Sequence, residues 1–341
     1  MKKNDFAKHL TSFFTDYLAC ERGVSPNTIR SYSNTFMLLL DYMDEIKHVK
    51  AENLTTGHLV RDVVVNFLNW LQETRQCKDS TRNQRLAAIH AFCKYMQYED
   101  VIHLEQWQSI LSIKIKTTGR RSVNFLTIEG IKLLLSQIPS STITGYRDLA
   151  MLALLYDSGA RVQELIDLRP VDLHLSSPCY VTLFGKGRKK RLVPLQKRQV
   201  EILNKYITGY NLEMPFANQK PLFQNANGRK LTCAGVTYIL SQYAAKARIL
   251  DSELIPERIS PHSLRHSKAM HMLQAGVNLV YIRDILGHVS IQTTEIYARA
   301  DSKQKREALE AAYVDILPGE DEKTTWEKDA ELKMWLKNLG R

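Results

Sequence analysis

The chain has 341 residues, with 47 lysines and arginines against 36 aspartates and glutamates, so its formal net charge is +11. This length allows two domains, and an apolar content of 44% is sufficient for a sizeable core. The positive excess indicates a polyanionic partner, with nucleic acid first and an anionic membrane second, and the alternative is a soluble protein that is merely basic.

The cysteines and the N-terminus narrow the class of protein. The five cysteines are far apart and include no CxxC pair, which argues against a disulfide scaffold or a zinc ribbon and favours a reducing compartment. The first residues are basic, but no apolar stretch of the kind found in signal peptides follows them. The longest apolar run, 149–156, is far too short to span a bilayer. We therefore expect a cytoplasmic protein with no membrane partner.

Apolar residues recur at helical spacing through the first hundred positions. Ser25 and Pro26 have the pattern of an N-cap followed by a first helical residue. Three further stripes have the same spacing: Phe13, Phe14, Tyr17 and Leu18; Val63, Val64, Phe67, Leu68 and Leu71; and Leu86, Ile89, Phe92, Cys93 and Met96. We interpret all of them as core packing and predict an all-helical bundle over residues 1–113.

A polar, basic stretch separates this bundle from a second domain. Residues 114–124 (KIKTTGRRSVN) are predicted to be a linker, whose charges either contact a DNA backbone or are simply solvated. These charges are Lys114, Lys116, Arg120 and Arg121. Beyond it, Thr127 predicts the cap of a helix, and two β-rich runs around a Gly-Lys-Gly turn predict a hairpin. The fold is therefore predicted to be mainly α, with an α+β domain at 125–300 and a helical tail at 301–341.

Basic residues are concentrated at the tip of the predicted hairpin. They are Lys186, Arg188, Lys189, Lys190 and Arg191. A charge run of this kind is usually solvated or contacts DNA phosphates. A β-ribbon can also enter a groove and bring one lysine to a reacting bond.

Two arginines lie at predicted helix starts, where an anion can be bound. Arg161 follows a glycine turn, and its guanidinium could meet a phosphate together with the helix amides. The alternative is an i,i+3 pair with Glu164 on a solvated face. His262 and Arg265 share a face in the first turn of a helix that Ser260 caps, and a partly buried polar cluster is the alternative there.

Histidines and a tyrosine complete the candidate chemistry. His262 and His266 are four residues apart, but no HExxH glutamate or cysteine accompanies them, so we expect no metal. Asn278 begins a short helix that Gly287 ends, and His288 follows directly. Tyr297 lies about two turns into the next helix, where a tyrosine alone usually serves packing.

Taken in order, four stretches resemble the tyrosine recombinase family, the phage-integrase and Xer-type enzymes. They are SGARVQELIDL, GKGRKKRLVPL, PHSLRHSKAMHML and LGHVSIQTTEIYA. The N-terminal FFTDYLACERGVSPNTIRSY is similar to the family's core-binding domain, so the resemblance covers about residues 6–300. The resemblance implies a site-specific recombinase that cuts and rejoins DNA through a covalent 3′-phosphotyrosine.

The resemblance also implies a role for each site residue. Arg161 and Arg265 would bind the scissile phosphate, and His262 and His288 would complete that pocket. Lys186 would protonate the 5′ oxygen, Tyr297 would be the nucleophile, and Glu164 would support the pocket without touching DNA. Because two arginines can neutralise phosphate charge and a phosphotyrosine conserves the energy of the broken diester, we expect no metal, no cofactor and no ATP.

The expected partners follow from the same resemblance. They are double-stranded DNA with paired half-sites, further copies of this chain that form a tetramer at synapsis, and accessory recombinase or directionality proteins. When on DNA, the protein would be associated with the nucleoid. Few residues precede the bundle, so we expect no additional DNA-binding arm domain. The tail has helical patterns at 303–315 and around Trp326, Leu332, Trp335, Leu336 and Leu339. It is expected either to dock on a neighbouring subunit or to fold back on its own domain.

The sequence is compatible with several functions. The tail and the non-Xer sequence of the segment HSKAMHML favour the integration, excision or transposition of a mobile element over Xer-like resolution of plasmid or chromosome dimers. A type IB topoisomerase-like enzyme would use the same covalent chemistry as a monomer. A non-catalytic DNA-binding protein would retain only a relic of the site.

Overall fold

The computed structural model describes residues 5–119, 124–185, 189–213, 215–300 and 330–339. Contacts divide the chain into two compact units, Met1–Arg121 and Ser122–Arg341. Within the described ranges, no helix is both long enough and apolar enough to cross a bilayer.

The first unit is all-helical, as predicted. Its helices are α1 (Asp5–Ser12), which continues as a π-helix (Phe13–Glu21), α2 (Pro26–Glu45), α3 (Arg61–Glu73), α4 (Asp79–Glu99) and α5 (Leu104–Leu111). Helix α4 packs against α2, α3 and α5, and its Phe92 lies edge-on to Phe13, Phe36 and Trp107. The predicted cap is confirmed, since the Ser25 side chain accepts from the Thr28 amide and Pro26 is the first helical residue.

The start of the predicted linker is fixed to this first unit. Asn83 of α4 accepts from the Lys116 amide at 2.9 Å and donates to the Lys116 carbonyl at 2.7 Å. The Lys116 ammonium donates to Gln72 of α3 at 2.6 Å. Lys114 is exposed. Arg120 and Arg121 lie outside the described residues.

The second unit is built around a buried helix. Its helices are α6 (Ile128–Ser136), α7 (Ile143–Ser158), α8 (Val162–Ile166), α9 (Lys197–Gly209), α10 (Cys233–Leu250), α11 (Pro261–Gln274), α12 (Leu279–Leu286), α13 (Gln292–Ala300) and α14 (Ala330–Asn338). Helix α7 packs against both α9 and α11. Its Leu152, Leu154 and Leu155 are fully buried, and because these residues lie on different faces of the helix, α7 is covered on more than one side. Its C-terminal end can therefore place site residues precisely.

A small antiparallel sheet completes this unit. Its strands β1 (Leu173–His174), β2 (Tyr180–Phe184) and β3 (Lys190–Pro194) are hydrogen-bonded in that order. Strands β2 and β3 form the predicted hairpin, with Leu183 opposite Arg191. Strand β1 was not predicted, because two residues are too short to show an alternating pattern.

The described part of the tail is a helix with exposed apolar residues. In α14, the side chains of Met334, Trp335 and Leu336 are more than half exposed. Residues 301–329, which include the predicted helix at 303–315 and Trp326, lie outside the described residues.

Candidate active site

Three arginines converge on the C-terminal end of α12. Each donates to one of three consecutive carbonyl oxygens: Arg191 Nε to Ile285 at 2.8 Å, Arg265 Nη2 to Leu286 at 2.6 Å, and Arg161 Nη2 to Gly287 at 3.1 Å. The last carbonyls of a helix have no intrahelical partner and carry partial negative charge. The end of α12 therefore collects guanidinium groups from β3, from α11 and from the start of α8.

Glycine turns bring these elements together. Gly159 ends α7 with φ +57°, so the chain reverses and Arg161 comes directly before α8. A β-carbon on Gly159 would lie 2.7 Å from Leu286, which shows how closely the ends of α7 and α12 approach each other. Arg265 connects the same two ends, because its Nη1 donates to the Gly159 carbonyl at 2.6 Å.

Glu164 is the carboxylate of this cluster, and it is only 6% exposed. It accepts from the Arg161 amide and guanidinium, both at 2.8 Å, and from Arg191 at 2.6 and 3.0 Å. Burial alone would raise the pKa of Glu164, but the hydrogen bonds from Arg191 and Arg161 outweigh it and hold that pKa below its usual value. The i,i+3 pair considered from the sequence thus exists, but in a buried network and not on a solvated face.

The arginines of this cluster carry more positive charge than the Glu164 carboxylate neutralises. Glu164 faces the guanidiniums of Arg161, Arg191 and Arg265. Burial and the neighbouring Arg161 lower the pKa of Arg265 to about 10, so its guanidinium stays charged at neutral pH. The Arg161 side chain is 32% exposed, and with Arg191, Gly287 and His288 it lines a cleft of about 470 Å³. An anion entering this cleft would meet uncompensated positive charge.

The two predicted pocket histidines are at this cleft or beside its arginines. His288 lines the cleft, and its Nδ1 lies 2.9 Å from the Thr294 hydroxyl. Burial and then Arg265, Arg161 and Arg191 lower the pKa of His288 to about 4, so this ring is neutral at pH 7. His262 is exposed at the start of α11, where partial desolvation and then Arg265 and Arg161 lower its pKa.

Tyr297 packs against His288 and is 1% exposed. Its ring is stacked on that of His288, with centroids 6.4 Å apart and an interplanar angle of 13°. Its hydroxyl lies 2.8 Å from Nδ1 of His266. Burial raises the pKa of Tyr297, while Arg265 and Arg161 act in the opposite direction. The tyrosine thus packs against a histidine that lines the cleft.

His266 was missed as a site residue by sequence reasoning, which weighed it only as a metal partner of His262. Its position directly after Arg265 on the same helix was the available signal. In the described part of the chain, no group of three or more His, Cys, Asp or Glu side chains could hold a metal ion.

The basic hairpin residues do not share one position. Lys189 and Lys190 are exposed, and Lys189 lines the cleft together with Gly185. Arg191 turns to Glu164 because successive side chains on a strand point to opposite faces. Lys186 and Arg188 lie outside the described residues.

Comparison with known proteins gives a consistent result. The profile of the Phage integrase family matches residues 124–304, and that of the Phage integrase N-terminal SAM-like domain matches residues 12–100. A Sinorhizobium fredii protein named as an integrase/recombinase is 35% identical over 90% of this chain and 92% of its own length. Tyrosine recombinase XerD of Listeria monocytogenes is 32% identical over 83% of this chain and 91% of its own length.

Solved structures share the fold. The Tn1549 transposon integrase in complex with transposon right end DNA superposes with a TM-score of 0.68, at 17% identity, over 88% of this chain and 98% of its own. The XerH site-specific recombinase bound to palindromic difH substrate gives a TM-score of 0.66, at 21% identity, over 84% of this chain and 80% of its own.

Proposed function

Because the chain belongs to the phage integrase family of tyrosine recombinases, we propose that it cleaves and rejoins double-stranded DNA at specific sites through a covalent bond between Tyr297 and a 3′ phosphate. The excess of guanidinium charge at the cleft carries this proposal. Phosphoryl transfer needs charge neutralised on the non-bridging oxygens and a nucleophile in line with the leaving oxygen. The arginines of the cleft supply the charge neutralisation, and the ring of Tyr297 stacks on that of His288, which lines the cleft.

The position of each site residue determines the role that we assign to it. Arg161 and Arg265 bind the scissile phosphate, as two fixed guanidiniums that can neutralise it without reorganising. His262 and His288 donate further hydrogen bonds to it. Since Nδ1 of His288 faces Thr294, we assign its Nε2 to the phosphate. Glu164 and Arg191 are positioning residues, which hold Arg161 and the end of α12 in place.

Lys186 is proposed as the acid that protonates the leaving 5′ oxygen. Its chain neighbour Gly185 lines the cleft, as does Lys189 across the turn. A lysine can deliver a proton at neutral pH when neighbouring cations lower its pKa. The phosphotyrosine bond conserves the energy of the broken diester, so rejoining to a new 5′ hydroxyl requires no ATP.

Contacts to the DNA backbone are assigned to the exposed lysines. Lys189 and Lys190 in the second unit and Lys114 and Lys116 in the first are exposed. Arg188, Arg120 and Arg121 complete this proposed set. Such contacts are independent of base sequence and make binding strongly salt-dependent.

We assign the chain to the movement of a mobile element, acting as a homo-oligomer on paired half-sites and as a tetramer at synapsis. The similarity to an integrase/recombinase over nearly its whole length supports this role, and the XerD relative keeps dimer resolution as the second candidate. Sequencing the DNA that flanks the gene separates them, because a mobile element has element ends whereas dimer resolution uses a site without them.

The exposed apolar side chains of α14 support docking of the tail on a neighbouring subunit. Truncation after Ala311 tests this, with DNA-binding cooperativity as the measurement. A loss of cooperativity supports docking between subunits, and unchanged cooperativity supports a tail folded on its own domain.

The covalent chemistry is tested with nicked suicide duplexes tiled across the DNA that flanks the gene. The wild type should become covalently attached to one of them, and Tyr297→Phe should bind it without attaching. Attachment followed by strand exchange between two marked duplexes identifies a recombinase, whereas attachment with relaxation alone identifies a topoisomerase-like enzyme. Sequence-specific binding of the wild type without attachment would identify a non-catalytic DNA-binding protein.

A further inference from the structure

The hydroxyl of Tyr297 already has a partner in the protein. Among the described residues, its hydrogen bond is the one to Nδ1 of His266, at 2.8 Å. The two rings are 5.7 Å apart between centroids and inclined by 57°, so the imidazole edge meets the hydroxyl and does not stack on the phenol ring. This geometry is that of a hydrogen bond and not of simple ring packing.

The surroundings hold this pair in place. Tyr297 packs with Ala269, Met270 and Leu286, which are almost fully buried. His266 is carried by α11, four residues after His262, and those two rings are 6.4 Å apart between centroids. His266 and Tyr297 therefore come from two helices that pack against each other, and the hydrogen bond connects them.

The charged and titratable groups around His266 favour its neutral form. On its own helix these are His262 and Arg265, across from it on α13 is Tyr297, and before α13 is His288. Burial and then His262 and Arg265 lower the pKa of His266. A neutral imidazole has one nitrogen that accepts a hydrogen bond, and a phenol O–H is a stronger donor than an imidazole N–H. With the phenol as the donor and Nδ1 as the acceptor, the phenolic proton of Tyr297 lies between its oxygen and Nδ1.

We propose that His266 takes part in the reaction as the group that holds the Tyr297 proton and accepts it during attack, an inference that rests on the proposed function. As the oxygen–phosphorus bond forms, the phenolic O–H bond breaks and its proton forms an N–H bond at Nδ1. The phosphorus–5′-oxygen bond breaks with its electron pair on that oxygen, which takes a proton from the acid assigned to Lys186. Rejoining reverses each step, and Nδ1 returns its proton to the departing phenolate.

The other pocket histidines are placed for different tasks. His288 presents its ring face to Tyr297 and engages Thr294 through Nδ1. His262 is exposed, and its ring centroid lies 6.4 Å from that of His266. A phenol whose pKa is raised is a poor nucleophile until its proton is removed, so the nitrogen already in contact with it is the best-placed acceptor.

Three variants test the proposal on the duplex to which the wild type attaches. His266→Ala removes the acceptor, and His266→Asn keeps an acceptor oxygen near the Nδ1 position that cannot take up a proton. Single-turnover cleavage at pH 7 should fall about 100-fold or more in both, the range expected for loss of a general base. Because free phenolate forms as the pH rises toward the pKa of Tyr297, the gap to the wild type should narrow at high pH. Added imidazole should partly restore His266→Ala.

The matched control is His271→Ala. His271 lies five positions further along α11, and its Nδ1 makes the same 2.8 Å contact with the hydroxyl of Tyr156. The His271→Ala variant should have a lower melting temperature but an unchanged pH profile of cleavage, and added imidazole should not change its cleavage rate. Cleavage by His266→Asn at the wild-type rate, or cleavage by both His266 variants within about threefold of that rate, would show that His266 does not accept the Tyr297 proton.

Failure of the proposed function and failure of the role of His266 give different results. If the wild type does not attach to any duplex, the proposed function fails and this inference fails with it. If the wild type attaches and Tyr297→Phe does not, while His266→Ala keeps the wild-type rate and pH profile, only the role of His266 is refuted.

Discussion

Arg191 Nη2 lies 2.6 Å from the carboxylate of Glu164, although 27 positions separate the two residues in the chain. The same guanidinium donates through Nε to the carbonyl of Ile285. Its side chain is only 10% exposed, so it connects β3, α8 and α12 inside the second unit. The last residue of the basic run thus belongs to the interior of the site, whereas its neighbour Lys190 is exposed.

This difference predicts that the two residues contribute differently to DNA binding. Lys190→Ala should weaken binding and reduce the slope of log affinity against log salt by about 0.9, the value for one phosphate contact. Arg191→Met should leave that slope unchanged and reduce cleavage, because Glu164 and the end of α12 lose a partner. Binding titrations at four salt concentrations measure both slopes. An equal loss of slope in Arg191→Met would show that Arg191 contacts DNA.

The buried carboxylate predicts a pH-dependent loss of stability in Glu164→Gln. The pKa of Glu164 is lowered in the folded state, so its charge stabilises the fold above the unfolded value of 4.5, and this contribution is lost as the pH falls through the lower folded value. At pH 7, removing one partner of a buried ion pair costs about 3 kcal/mol. Urea unfolding monitored by circular dichroism should show that difference in free energy of unfolding between wild type and Glu164→Gln at pH 7, and a smaller difference below pH 4.5.

Glu201→Gln on α9 is the matched control, because Glu201 is exposed. It should change stability by less than about 0.5 kcal/mol at either pH. A Glu164→Gln protein as stable as this control at pH 7 would contradict the buried network.

The sequence predicted those parts of the structure that depend on local chemistry. The caps at Ser25, Thr127 and Asn278 and the hairpin strands follow from short patterns, and the structure confirms them. The contacts that assemble the site span much longer separations: Arg161 reaches a carbonyl 126 positions away, and Arg191 reaches one 94 positions away. No periodicity specifies such pairs, so the inward turn of Arg191 and the contact of His266 with Tyr297 could be found only from the fold.

The close approach at the end of α12 predicts that Gly287→Ala impairs cleavage. Gly287 has φ +64°, and a β-carbon there would lie 2.8 Å from Arg191 Nη1. That guanidinium cannot move aside without losing Glu164 or Ile285. Gly276→Ala is the matched control, since it also has positive φ but open space around it.

Both alanine variants should lose about 1–2 kcal/mol from backbone strain. Single-turnover cleavage should fall in Gly287→Ala and not in Gly276→Ala. Equal rates in the two proteins would mean that the position of Arg191 does not matter for the reaction.

The neutral ring of His288 predicts that the second unit loses stability in mild acid. Its pKa is about 4 in the folded protein against an ordinary value of 6.5, so between these values the unfolded chain binds more protons and stability falls as the pH falls. For this ring alone the loss is on the order of 3 kcal/mol, at about 1.4 kcal/mol for each pKa difference of one. The protection of the α12 amides against hydrogen exchange, corrected for intrinsic exchange, should therefore decrease from pH 6.5 to pH 4.

The His288→Asn variant should show a weaker dependence of this protection on pH. The matched control is His174→Asn, whose hydrogen bond to Ser176 lies at the surface, and it should keep the wild-type dependence. An unchanged slope in His288→Asn would show that another group controls the acid response.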